Sequence, residues 1–140
     1  MKELTVETGV VTYSINGGKC TLSFNPTDSV FVERLFSVFE ALDKKQESYK
    51  VEMEKDTSNR EKFELARKMD EEMRDLINEA LGTDICSALC GEMSMYALAD
   101  GLPVWANLLF TIIDEMDTTA AREMKQTNSR IDKYLKKYHR

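Results

Sequence analysis

Residues 97–117 read ALADGLPVWANLLFTIIDEMD, and the placing of this stretch decides the fold. It holds the single Trp of the chain, Trp105, one of the two prolines and the densest apolar run. Three readings compete: a membrane anchor, a site built on paired carboxylates, or the central helix of a small domain. The near-continuous apolar run from Leu102 to Ile113 is interrupted by Asn107 and Thr111. Crossing a bilayer takes about 20 apolar residues, so the anchor fails on length. Pro103 suits the first turn of a helix, where its missing N–H costs nothing. Val104, Trp105, Leu108, Leu109, Ile112, Ile113 and Met116 then cover a wide apolar face, as a helix buried in a domain should. The pattern predicts a core helix running to about Lys125.

Asp114, Glu115 and Asp117 follow that apolar face. Asp114 and Asp117 share one side of a helix, and paired carboxylates can hold Mg²⁺ or move protons. A metal-dependent enzyme using these two is the least favoured reading, because no matching set of oxygen ligands is evident elsewhere. The commoner reading is a solvated helix end. The only histidine is His139, and a Ser-His-Asp or Cys-His pair would have to use it. Cys86 and Cys90 lie one helical turn apart, but zinc needs four ligands. Cys20 and His139 are the only other soft ones, at opposite ends of the sequence. Small buried thiols are the simpler account. No Gly-rich phosphate loop is present. No catalytic residue, no metal site and no cofactor is therefore expected, and the chain reads as a non-enzyme.

The totals agree with a globular protein. The chain has 140 residues, 42% of them hydrophobic, and a net charge of −6. That is one domain's worth of sequence, and a nucleic-acid partner is disfavoured because phosphate binding needs clustered cations. Three cysteines and a start without the apolar core of a signal peptide predict a reduced, cytoplasmic chain.

Working outward, residues 10–15 and 19–24 read as a β-hairpin around Asn16-Gly17-Gly18, which supplies the positive φ angles of a tight turn. Residues 4–8 are a candidate third strand, since a lone hairpin is marginal in water. Thr27 or Asp28 caps a first helix. Its stripe is Phe31, Leu35, Phe39, Leu42, Gln46, Tyr49 and Met53, with Val32, Phe36 and Val38 making the early part apolar on a second side. Ser58 and Glu61 have capping-box spacing and start a second helix that stops at Gly82. Residues 43–79 are more than half charged, of both signs, and the two helices read as a charged helical hairpin spanning 28–82. Residues 83–90 and 94–99 read as short helical pieces. Gln126-Thr127-Asn128-Ser129 reads as a turn before a last helix, 130–138. The fold class is α+β, mostly α, in one domain of 140 residues.

Two groups of side chains suit a macromolecular partner. On the last helix Tyr134, Lys136, Lys137 and Tyr138 combine aromatic and cationic groups, as surfaces for acidic partners do. At the tip of the charged hairpin, Glu52, Glu54 and Asp56 form an acidic group. The methionines at 53, 69, 73, 93, 95, 116 and 124 either fill the core or adapt to a partner.

The order of elements, with FNPTDSVFVERLFSVFEALDKKQ and YALADGLPVWANLL, resembles small tail assembly chaperone-like proteins of siphophages and prophages of Gram-positive gut bacteria. The resemblance covers most of the chain. It implies a non-enzymatic cytoplasmic phage protein that coats the apolar tape-measure protein and self-associates. The alternative is an acidic phage protein that inhibits a host defence factor by binding it. It predicts salt-sensitive binding, weakened when Glu52, Glu54 and Asp56 become Lys.

Overall fold

A computed structural model describes residues 1–126 and 129–138, the Tyr138 side chain excepted. The architecture is α+β and mostly helical. It begins with a hairpin of β1 (Val11–Ile15) and β2 (Cys20–Phe24), paired antiparallel with Ile15 opposite Cys20. Asn16, Gly17 and Gly18 all have positive φ, and the Lys19 N–H donates to the Ile15 carbonyl at 3.0 Å. The expected Asn-Gly turn is thus formed. Leu22 and Phe24 face the core, and Thr12 and Ser23 join their hydroxyls on the wet face.

The strand expected at 4–8 is not present: residues 1–10 are exposed and belong to no strand. The alternating pattern was a sound strand signal, but a strand needs an edge, and the chain does not turn back at Gly9 to reach its own.

Asp28 caps α1 (Ser29–Glu54), its carboxylate accepting the Val30 N–H at 3.0 Å. Phe31, Leu35, Val38 and Leu42 are buried. Phe36 is exposed, so the core uses the second apolar side of α1 only in part, through Val32 and Val38. Ser58 caps α2 (Asn59–Leu81) by accepting the Glu61 N–H at 3.2 Å. Gly82 ends it in the left-handed conformation at φ 71, which costs a residue without Cβ nothing. The two helices fold as a hairpin, tied by Lys45 to Glu72 at 3.2 Å. Its buried side chains stop at Leu42 on α1 and begin at Met73 on α2. The tip is carried by the half-buried seam of Gln46, Tyr49, Met53, Leu65, Ala66 and Met69.

α3 (Ile85–Cys90) lies against β2. The helical piece expected at 94–99 is instead a bend leading into a small hairpin, β3 (Leu98–Ala99) with β4 (Leu102–Pro103). Asp100 and Gly101, both at positive φ, are a two-residue hairpin loop of the Asp-Gly kind. Pro103 closes that hairpin and caps α4 (Val104–Lys125) from one position before its first turn. On α4, Trp105, Ala106, Leu108, Leu109, Ile112 and Met116 are buried, so the core-helix reading of this stretch holds. Tyr13, Phe24 and Phe31 stack in series at 4.9 and 4.5 Å, joining hairpin to α1. Phe39 meets the Trp105 ring edge-on at 5.8 Å, joining α1 to α4. Finally α5 (Arg130–Tyr138) follows. The turn expected at 126–129 falls partly outside the described residues, as does His139.

Candidate interaction surfaces

α5 carries four of the side chains that sequence pattern marks for a partner. Its described side chains, Arg130 to Lys137, are all exposed. Ile131, Tyr134 and Leu135 form one apolar stripe at helical spacing, 68%, 54% and 48% exposed. The Arg130 guanidinium lies over the Tyr134 ring, 6.0 Å from its centroid, a cation–π distance. Lys136 and Lys137 stand in the last turn, where cations suit the helix dipole. An amphipathic helix normally spends its apolar stripe on a core; this stripe meets solvent.

Glu52, Glu54 and Asp56 end α1 and begin the turn to α2. Glu52 accepts from Lys55 Nζ at 2.7 Å, while Glu54 and Asp56 are exposed. They sit on a different element from α5. Ion pairs of both signs, including Arg60 with Glu64 at 3.8 Å, interleave along the helical hairpin. The surface there is mixed rather than continuously acidic.

A groove that the sequence pattern did not reveal runs between the β1–β2 turn and α4. Ile15, Leu89, Met93, Val104, Leu108 and Ile112 line a depression of about 310 Å³. It adjoins a second of about 280 Å³ lined by Tyr13, Leu22, Phe24 and Glu115. Asn107 and Thr111, which broke the apolar run, face this groove. Asn107 Nδ2 donates to the Ala99 carbonyl at 2.8 Å, and the Thr111 hydroxyl to the Asn107 carbonyl at 2.7 Å. Those two interruptions were the only sign of it in the sequence. Phe110, on the same helix, is partly exposed and tilts against Phe39 at 5.6 Å.

The residues weighed for chemistry sit differently. Asp114, Glu115 and Asp117 lie in the middle of α4, not at a wet end, because the helix continues to Lys125. Asp114 and Asp117 are exposed, and the Glu115 carboxylate accepts from the Thr119 hydroxyl at 3.2 Å. Among the described residues no three His, Cys, Asp or Glu side chains come together as a metal site. Cys86 is fully buried, and burial pushes its thiol up to about 12. Cys90 is raised as well, again by burial. A thiol so protonated is a poor nucleophile. Among the described residues no helix is long and apolar enough to cross a membrane.

The frame beneath these surfaces is polar and specific. Asp70 and Arg74 pair at 3.0 Å on α2, both largely buried. Asp70 also accepts the Met95 N–H at 2.7 Å, and Arg74 donates to the Met93 carbonyl at 2.6 Å. Trp105 donates its indole N–H to Gln46 at 2.8 Å. Tyr49 stacks on Tyr96 at 4.0 Å. Met73, Met95 and Met116 are core, whereas Met93 and Met124 are exposed. Comparison of the chain with protein-family models, with curated proteins and with solved structures gives no match in any of the three.

Proposed function

We propose that this chain is a non-enzymatic phage tail morphogenesis protein, a tail assembly chaperone that binds the tape-measure protein in the host cytoplasm. The observation that carries the reading is the exposed stripe Ile131, Tyr134 and Leu135 on a helix bordered by Lys133, Lys136 and Lys137. A helix whose described apolar side chains are exposed suits an apolar, helical client. Helix-in-groove recognition uses the same i, i+3, i+4 anchors. Exposed Phe36, Phe63 and Phe110 extend the apolar surface to other elements. The resemblance of FNPTDSVFVERLFSVFEALDKKQ and YALADGLPVWANLL to tail assembly chaperone-like proteins supplies the client.

Co-expression with a tape-measure segment tests this. The expected result is a soluble, co-purifying complex where the segment alone precipitates. The full chain carrying Ile131→Asp and Leu135→Asp should keep its own solubility and lose the complex. Failure to solubilise the segment, together with no complex with any tail protein, rejects the reading.

A further inference from the structure

The arm of residues 4–8 has the pattern of a strand and no partner. Leu4 and Val6 are 87% and 77% exposed and alternate with Thr5 and Glu7, the period of a half-buried strand. Among the described residues, 4–8 form no backbone–backbone hydrogen bond. The root of the arm is nevertheless held. Asn25 Nδ2 donates to the Thr8 carbonyl at 2.8 Å, and Glu7 accepts the Gly9 N–H at 3.1 Å. Gly9 has φ 73, and a Cβ there would meet Asn25 Nδ2 at 2.7 Å. The chain is thus steered away from its own hairpin. That hairpin has two strands only, with α3 against β2 and no strand beside β1.

We propose that residues 4–8 are the third strand of this sheet, supplied by a second copy of the chain. The arm of each copy pairs antiparallel with β1 of the other around a two-fold axis. Faces fix the register. Tyr13 and Ile15 of β1 point toward the core, and Thr12 and Ser14 toward solvent. Apolar Leu4 and Val6 must match the odd-numbered positions, because a slip of one residue would put them on the wet face. The alignment that pairs all five residues sets Leu4 opposite Ile15, Val6 opposite Tyr13 and Thr8 opposite Val11. Thr5 and Glu7 then oppose Ser14 and Thr12. The axis passes between Gly9 and Val10, and the two hairpins become one six-segment, four-stranded sheet. An isologous contact of this kind closes on itself as a dimer. The same register would arise if the arm folded back on its own β1, which is the usual relation between a swapped dimer and its monomer. This inference is independent of the tape-measure reading.

The test uses the full chain and its mass in solution. Unaltered protein is expected to be a dimer in the micromolar range. Ile15 and Tyr13 turn their backbone groups toward β2 and leave those of Thr12 and Ser14 to face the arm. Thr5→Pro therefore removes a ladder N–H on a segment with no role in the monomer's own packing. It should weaken association about tenfold or more, and the thermal midpoint should be unchanged at dilutions where both proteins are monomeric. Glu7→Cys with Thr12→Cys should give an oxidised dimer on a non-reducing gel. Thr5→Cys with Thr12→Cys, out of register, should not. A monomeric unaltered protein, a dimer indifferent to Thr5→Pro, or a Glu7/Thr12 pair that closes within one chain would each overturn the proposal.

Discussion

Asp70 and Arg74 stand one helical turn apart and hold the bend at 93–95 with two backbone bonds besides their own pair. Replacing Arg74 by Ala leaves a largely buried carboxylate short of its cation. We expect a loss of about 1–3 kcal/mol, read as a shift in the urea midpoint. Tyr96 presents the opposite situation, since its buried hydroxyl has no hydrogen-bond partner among the described residues. Tyr96→Phe removes an unsatisfied group while keeping the stack on Tyr49, so stability should hold or rise by about 1 kcal/mol. Burial raises the Cys86 thiol from 9.0 to about 12 and the Tyr96 hydroxyl from 10.0 to about 12. Both groups are neutral when protonated, so their contribution is complete below pH 9 and is lost as pH rises toward 12. Urea unfolding across pH 8 to 11 should show this decline, and Cys86→Ala should make it shallower.

At the scale of elements, boundaries written in local chemistry were legible. Asp28, Ser58 and Gly82 are cap residues whose role depends on neighbours two to four positions away. Ser58→Ala should cost about 1 kcal/mol, measurable by thermal unfolding. The Asn16-Gly17 turn was readable for the same reason. Asp100-Gly101 is an equally local signal. In the sequence it reads as the stop of a helical piece, because Ser94 to Ala99 has the composition of a helical turn and two-residue strands leave no periodicity to detect. The polar ties were out of reach: Asp70 to Met95 spans 25 positions and Trp105 to Gln46 spans 59. Nothing in a one-dimensional pattern links such partners. α5 was placed correctly, with Tyr134, Lys136 and Lys137 on it. That its described apolar side chains stay exposed appears only in three dimensions. Because its described side chains are exposed, Ile131→Asp with Leu135→Asp should alter stability by less than about 0.5 kcal/mol.

Across the whole molecule, one apolar cluster draws on both strands of the first hairpin and on α1 to α4. Leu109 is fully buried in it, and Leu109→Ala should cost about 2–5 kcal/mol, by urea denaturation. The arm at 4–8 and the described side chains of α5 are not part of that cluster. The proposed association and the proposed client binding can therefore be altered at either without touching the fold, which makes the two tests above separable.

Trp105 adds a practical consequence. The chain's single indole is 3% exposed, and it is hydrogen-bonded to α1 from the first turn of α4. Its emission should lie at short wavelength in the native protein and shift red when α4 leaves α1. One intrinsic fluorophore thus reports the docking of these two helices without labelling. The ring and hydrogen-bond partners of this indole are Phe39 and Gln46 of α1, neither of them on the arm or on α5. Self-association and client capture should be optically silent in this channel, so a red shift on mixing would signal that a partner has opened the core.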